Sequence, residues 1–579
     1  MDNKQISQVL QEIGDILEIK GENRFRVNAY HNAARSVLSY PKDLRTIVDR
    51  NPKDLEKIPG IGVNMKNLIY SLLTDGTSLE LERIRESIPS GLLEMLRLRG
   101  VGPKKVKLFY SELRITDLKG LKKAAKDGML ATLPGMGEKS QNEVLEALDE
   151  HSKFDLERVM ISEALMEAEH YIEYMKKCKG VKKIEYAGSL RRRKETIGDV
   201  DLLVAVSGKN SKEVVANIMD HFAKYSEVLK VIASGDTKSA VILGSGMQVD
   251  LRVVDEDAFG AALHYFTGSK EHNIKIRDLA KRKGLKVNEY GVFKVKTGEL
   301  ITCKEEKTVF KAVGLPYIIP EMRKGQDEIE KAKSKKLPKV VELSDLKGDL
   351  HLHSDWSDGK SKIEDIAKTY QEAGFKYIAM TDHSSTVSVA NGMSSERIQN
   401  QWKEIDKINK KLKGFKIFKG SEVDIMKDGS LDYDEEILKQ LDIVVISAHM
   451  HPRLSKEAQT KRIIAAIENP YSKILGHPSG RLINKRGPMD MDMSKIIDAC
   501  KANNVAIEIN SNPLRLDLID VYARMAKDKG VKIAINSDGH DANQYKLLKY
   551  GIFVARRGWL TAKDVINTLD AEHLSKIWE

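Results

Sequence analysis

The stretch Gly188-Ser-Leu-Arg-Arg-Arg-Lys-Glu-Thr-Ile-Gly-Asp-Val-Asp-Leu-Leu-Val204 decides how this chain is read. Asp199 and Asp201 are separated by one residue. On a strand that spacing turns both carboxylates to the same face. A third carboxylate, Asp250, stands in Met247-Gln-Val-Asp-Leu-Arg252, another strand-like run. Three carboxylates on one face repel one another unless cations sit between them. Two Mg2+ or Mn2+ ions meet that need, and such ions activate an attacking oxygen while clamping a triphosphate. Gly188 and Ser189 offer backbone and hydroxyl donors to phosphate oxygens, and Arg192 can neutralise charge on a leaving group. Gly-Ser followed at this distance by Asp-x-Asp is a nucleotidyltransferase pattern. The competing reading is a surface strand with ordinary acidic residues.

On the N-terminal side, residues 1 to about 150 read as short helices, with Ile6, Val9, Leu10, Ile13, Ile16 and Leu17 at helical spacing. One pattern occurs there three times: Ile58-Pro-Gly-Ile-Gly-Val63, Leu98-Arg-Gly-Val-Gly-Pro103 and Leu133-Pro-Gly-Met-Gly-Glu138. Paired glycines (Gly60 and Gly62, Gly100 and Gly102, Gly135 and Gly137) let one backbone approach another closely. A helix start just beyond them exposes free N–H groups that favour an anion. This is the helix-hairpin-helix signature of sequence-independent DNA binding. Such contacts position DNA without reading its sequence.

On the C-terminal side the rhythm changes after residue 345. Short apolar runs alternate with helical segments at Tyr377–Met380, Ile417–Phe418, Ile443–Ile446, Val505–Ile509 and Val531–Ile535. The alternation predicts βα units and a barrel-like parallel sheet, with chemistry at the C-terminal strand ends. Eight of the 14 histidines lie in this region. His351 and His353 share one side of a strand. His383, His449, His477, Asp538 and His540 each close a segment that begins with an apolar run, and Glu422 follows Phe415-Lys-Ile-Phe-Lys-Gly-Ser421. With Asp358 they make nine potential ligands of imidazole and carboxylate type, a set suited to Zn2+, Mn2+ or Fe2+. His451 is left out of the set. Arg481 and Arg515 could steady a phosphate, surface solvation being the alternative.

The chain has 579 residues, a formal net charge of +11 and 41% hydrophobic residues, enough for several cores. The basic balance favours polyanionic partners. Three dispersed cysteines argue against a disulfide framework or a Cys-ligated zinc ribbon. The N-terminus lacks the apolar core of a signal peptide, and no apolar run approaches the ~20 residues of a membrane helix. The expectation is a reduced, cytoplasmic protein with no membrane association. The basic, Pro-containing segment Lys331–Lys339 reads as a solvated tether.

Taken together, Gly188-Ser189, Asp199-Val-Asp201, Asp250 and Tyr265-Phe-Thr-Gly-Ser269 behind the hairpin repeats closely resemble a family X DNA polymerase. The resemblance implies that Asp199, Asp201 and Asp250 hold two metals, and that Ser189, Arg192 and Arg158 hold a triphosphate. It also implies that Tyr265, Phe266 and Gly268 lie along the incoming sugar, with Asn273 and Arg277 near base and template. Two departures stand out. Relatives with deoxyribose-phosphate lyase activity carry a lysine where this chain has Leu68, and a Schiff base needs an amine. Template-independent relatives carry a long loop where this chain has only Gly244-Ser-Gly246.

The nine C-terminal positions resemble the polymerase and histidinol phosphatase (PHP) domain, a distorted barrel of about seven βα units. That resemblance implies one metal on His351, His353, Glu422 and Asp538, a second on Glu422, His449 and His477, and a third on Asp358, His383 and His540. The fold class expected is multidomain α+β and α/β. An eight-kilodalton-type helical domain (1–80) precedes a fingers-type helical domain (81–150), a mixed-sheet palm (151–258), a thumb (259–320), a basic linker (321–344) and the PHP barrel (345–579). The expected function is gap filling from dNTPs on gapped or nicked DNA by a monomer. The PHP domain would trim 3′ ends, with cleavage at abasic sites a further expected activity of the same residues. The alternatives are a PHP domain acting as small-molecule phosphatase or pyrophosphatase, or a DNA-end-binding scaffold with vestigial sites.

Overall fold

The first helix, Asn3–Lys20, turns Ile6, Leu10, Ile13 and Leu17 inward at helical spacing and buries them against Val27, Ala33, Ala34 and Val37 of the helix Arg24–Leu38. The structure is a computed structural model. It describes residues 1–579 except 2, 39, 41–42, 90, 97, 99, 154–157, 207–211 and 579, so Arg99 of the second hairpin lies outside the described residues.

The three hairpins share one backbone geometry. Gly60, Gly100 and Gly135 have φ of 86°, 71° and 74°, a region that only glycine enters freely. In each, the residue after that glycine donates its N–H to the carbonyl three residues earlier: Ile61 to Ile58, Val101 to Leu98 and Met136 to Leu133, at 3.0–3.1 Å. Helices then begin at Val63, Pro103 and Glu138.

Next comes a five-stranded mixed sheet in the order Val181–Tyr186, Asp199–Val206, Gln248–Asp255, Lys238–Leu243, Val228–Ser234. Only the Asp199–Val206 and Gln248–Asp255 strands pair in parallel, and their register sets Asp201 opposite Asp250. The period-2 alternation of the first of these decides its two faces. Val200, Leu202, Val204 and Val206 face the core with Ile161, Leu165, Phe222 and Ile218 of two covering helices. Leu203 and Ala205 face Phe259, Ala262 and Leu263 instead. Asp199 and Asp201 share parity with the latter pair. The turn Gly244–Gly246 is closed by a bond from the Gly246 N–H to the Leu243 carbonyl, with Gly246 at φ 84°.

Residues 259–340 add the helices Phe259–Thr267, Lys270–Arg282 and Lys307–Ala312 around a three-stranded antiparallel sheet. The expected basic linker at 321–344, with its tether Lys331–Lys339, is corrected here. Arg323 is fully buried, Glu328–Lys333 is a helix, and Ile329, Ala332 and Val340 share a core with Trp559 of the barrel region. The lysines drew the reading towards solvent, but the apolar spacing of Ile329 and Ala332 lets one face pack while Lys333, Lys335, Lys336 and Lys339 remain exposed.

The C-terminal region is a seven-stranded parallel sheet in chain order: Gly348–Leu352, Tyr377–Met380, Lys416–Asp424, Ile443–Ser447, Ile474–Leu475, Ala506–Asn510 and Ile533–Asn536. A parallel bridge between Leu352 and Gly539 brings first and last strands together, so the sheet curls into a nearly closed barrel. Its interior is lined by Leu350, Ala379, Phe418, Val445, Ala506 and Ala534. Among the described residues no helix is long and apolar enough to cross a membrane.

Candidate active sites

At the first site the parallel pairing of two strands gathers Asp199, Asp201 and Asp250. Burial, then Asp199 and Asp250, push the Asp201 carboxyl up to about 7. Burial and Asp250 raise Asp199 as well. A mutually repelling, half-desolvated acid cluster of this kind is what divalent cations relieve, so the donor set fits the two metals that the family pattern implies. Gln248 Nε2 donates to Asp250 Oδ1 at 2.6 Å, and Lys238 Nζ lies 3.5 Å from its other oxygen. Gly188 sits at φ 57°, and a Cβ there would fall on Asp201 Oδ2, well inside van der Waals contact. Glycine is thus required twice, by the backbone angle and by the neighbouring carboxylate.

The turn after Gly188 presents Ser189, whose buried Oγ has no hydrogen-bond partner among the described residues. Arg192 donates to the Thr267 carbonyl and stands against Gly268, and burial, then Arg557, lower it to about 10. Arg158 donates from Nε to Thr196 Oγ1 at 3.0 Å. Tyr265 and Phe266 meet edge to face with centroids 5.2 Å apart, and Arg252 lies over the Phe266 ring. Asn273 Nδ2 donates to the Tyr265 carbonyl at 2.7 Å, leaving its buried Oδ1 without a partner among the described residues. Arg277 is exposed on the same helix. The hairpin glycines Gly62, Gly102 and Gly137 open onto clear space, as do Gly100 and Gly135. Leu68 is buried in the first helical core, and the nearby Lys66 amine is bound to Glu56 at 2.7 Å.

The second site is at the mouth of the barrel. Glu422 is the centre. Its Oε2 lies 3.3 Å from His351 Nε2, 3.6 Å from His353 Nε2 and 3.0 Å from His383 Nδ1, and its Oε1 lies 3.3 Å from His449 Nε2 and 2.8 Å from His477 Nε2. Asp538 Oδ1 is 3.2 Å from His353 Nε2. Asp358 faces His540 at 3.3 Å and His383 at 3.7 Å. Three groups have ligand atoms close enough for one ion each: His353, Asp358, His383 and His540; His351, His353 and Asp538; and His383, Glu422 and His449. His351 Nε2, both nitrogens of His353, His383 Nδ1 and Glu422 Oε2 are buried without a hydrogen-bond partner among the described residues. Buried polar atoms are ordinarily paired, so this orphaned set is fitted to metal ions. All nine expected residues converge here. Burial, His383 and His540 hold the His353 imidazole down to about 4. His451 is exposed, away from this buried set.

Sequence reading missed the groups behind these ligands. Buried Glu508 accepts from the imidazole Nδ1 of His351 at 2.8 Å and from the backbone N–H of His477 at 2.7 Å. Asp424 faces His449 Nδ1 at 3.2 Å. Such partners fix imidazole tautomer and orientation. The signal was available: Ala506-Ile-Glu-Ile-Asn510 carries a carboxylate in an otherwise apolar strand. Arg515 Nε lies 3.5 Å from Asp538 Oδ2, beside the ligand set. The expectation for Arg481 is corrected. Its guanidinium is used by the Arg515 and Leu516 carbonyls and by Glu195, neither on a phosphate nor in solvent, because its strand-end loop packs against the first sheet's domain.

Sequence comparisons agree with this two-site architecture. Residues 1–78 match the helix-hairpin-helix domain model, 92–150 the SAM-like helix-hairpin-helix tandem, 262–324 the DNA polymerase beta thumb and 349–512 the PHP domain. The chain belongs to the family X DNA polymerases that carry a C-terminal PHP domain. It is 38% identical over 569 residues to the DNA polymerase/3'-5' exonuclease PolX of Bacillus subtilis strain 168, covering 98% of this chain and 97% of that protein. DNA polymerase lambda of Rattus norvegicus is 25% identical over 55% of this chain and 56% of its own length. A probable phosphatase of Thermoanaerobacter sp. strain X514 is 32% identical over 38% of this chain and 89% of its own.

Proposed function

We propose that the chain is a template-directed repair DNA polymerase that also trims 3′ ends through its PHP domain. The observation that carries this reading is the coexistence of two complete donor sets: Asp199, Asp201 and Asp250 beside the Gly188–Ser189 turn, and nine imidazoles and carboxylates around Glu422. In the first reaction the primer 3′-hydroxyl attacks the α-phosphorus of a dNTP and pyrophosphate leaves. Two Mg2+ or Mn2+ ions on the three aspartates supply Lewis acidity when bound. Ser189, Arg192 and Arg158 hold the triphosphate, Tyr265, Phe266 and Gly268 flank the sugar, and Asn273 and Arg277 approach base and template. The hairpin glycines let backbone N–H groups grip the phosphates of gapped or nicked DNA. Leu68 supplies no amine where lyase-active relatives carry their lysine, which argues against a lyase step.

In the second reaction water cleaves a phosphodiester at a 3′ end. Up to three Zn2+, Mn2+ or Fe2+ ions on the nine barrel residues supply the activated oxygen nucleophile when bound, and the same residues could serve cleavage at abasic sites. The protein acts as a monomer in the cytoplasm. The test uses two double variants, Asp199→Ala/Asp201→Ala and His351→Ala/His353→Ala, on a primed template with a mismatched end. The first should stop extension and keep degradation, and the second should do the reverse. Degradation lost with the aspartates and kept without the histidines would refute the assignment.

The likeness to a probable phosphatase favours one second reading for the barrel, a phosphomonoester substrate. Faster turnover of a phosphomonoester than of a single-stranded oligonucleotide would select it.

A further inference from the structure

The segment Arg192–Glu195 runs from the phosphate-facing turn towards Asp199, and the barrel domain grips it at three points. Arg557 Nη1 donates to the Arg192 carbonyl at 3.0 Å. The Arg193 guanidinium lies over the Phe553 ring, 4.4 Å from its centroid. Arg481 Nη1 donates to Glu195 Oε2 at 3.0 Å. A fourth contact falls next door: Asn484 Nδ2 donates to the carbonyl of Arg158 at 2.6 Å. Arg158 itself is tied back to Thr196.

These contacts are not the scattered ion pairs of a wet interface. Arg481 and Glu195 are mostly shielded, with side-chain exposures of 14% and 22%. Arg481 is immobilised from behind by the Arg515 and Leu516 carbonyls. Arg557 is likewise fixed by Asp520 at 2.6 Å, which also holds Lys324. A rigid fork of this kind has lost its rotamer freedom before it meets its partner, so it can set the partner's position. The gripped segment carries Arg192 and leads to the aspartate strand, and the Glu195 carbonyl accepts from the Ile161 N–H at 3.0 Å, tying it to the helix that follows Arg158.

We infer that Arg481, Asn484 and Arg557 of the barrel domain are positioning residues of the polymerase site, holding the Arg192–Glu195 segment and Arg158 where they receive the incoming triphosphate. They act through the palm residues they hold, so their loss should loosen nucleotide binding more than it slows the bond-forming step. The hydrolytic domain would thereby complete the synthetic site. The inference rests on the polymerase reading above.

The experiment uses the full chain on single-nucleotide gaps, with Glu195→Ala, Arg481→Ala, their combination, Asn484→Ala and Arg481→Lys. Binding of the incoming dNTP to a gapped duplex in Ca2+ is measured alongside turnover. Glu195→Ala and Arg481→Ala should each raise the dNTP KM and its Kd about tenfold, with kcat within about threefold. The combined variant should be no worse than the worse single one, because both break the same contact. Asn484→Ala should raise KM by a smaller factor, and Arg481→Lys should recover part of the loss. Glu195→Ala should degrade 3′ ends at the wild-type rate. Unchanged KM in both single variants, multiplicative effects in the combination, or a joint fall of kcat and degradation would each overturn the inference. If the wild-type chain fills no gap, the polymerase reading itself fails, and that outcome is distinct from the others.

Discussion

Replacing Gly188 with alanine adds one methyl group and should separate the two activities. Gly188 is buried at φ 57°, so an alanine backbone there costs about 1–2 kcal/mol. The larger effect is local. The new Cβ would land on Asp201 Oδ2 and also crowd its Cγ at 3.1 Å. Either the carboxylate or the turn must move by about 1 Å, and a misplacement of that size at a reacting centre costs about a hundredfold in rate. That is about 2.7 kcal/mol in the barrier. The assay is single-nucleotide gap filling under single-turnover conditions. Degradation of a single-stranded oligonucleotide by the same preparation serves as internal control, since the nine barrel residues are untouched. The expectation is filling reduced about a hundredfold with unchanged degradation and a melting temperature lowered by about 2–8 °C. Gap filling within threefold of wild type would refute the reasoning, because the carboxylate could then shift without consequence.

Glu508→Gln should weaken metal binding at the barrel about ten- to a hundredfold, read by metal content after dialysis, because it removes the charge behind the His351 imidazole. Metal binding at the aspartate site should depend on pH with one sign. Asp201 is held up to about 7 by burial and its two neighbours, so a proton must leave before an ion enters. Affinity for Ca2+, followed by titration calorimetry, should fall about tenfold per unit below pH 7 and level off above it. A pH-independent affinity from 5.5 to 8 would contradict this. Gly62→Glu should weaken binding to a gapped duplex about tenfold, or about 1.4 kcal/mol, with unchanged melting. Its extended backbone admits any residue and its Cβ meets nothing, yet it would set a carboxylate at the helix start offered to phosphate.

The parts of the molecule that the sequence made legible are those where chemistry and periodicity coincide. Asp199 and Asp201 could be placed on one face because strand alternation leaves no choice, and Val200 and Leu202 bury on the other side as that requires. The nine barrel residues were legible because strand ends follow apolar runs. Glu508 was passed over because it lies inside such a run rather than after it, and only pairing across the barrel gives it to His351. Arg481 and Lys331–Lys339 were misjudged for a shared reason. Their packing partners are far away in sequence: Arg481 meets Glu195 across 286 positions, and Ala332 shares its core with Trp559. Long-range burial of this kind has no local signature.

The burial of Ile329, Ala332 and Val340 in one core with Trp559 bears on how such a two-part enzyme can change over generations. A chain shortened at the junction would leave a greasy scar on the half that keeps the hairpins, where Trp559 once sat. A lineage could shed the barrel only after that surface had been repainted with polar side chains. Until then, packing as well as the peptide bond ties the inheritance of the two halves.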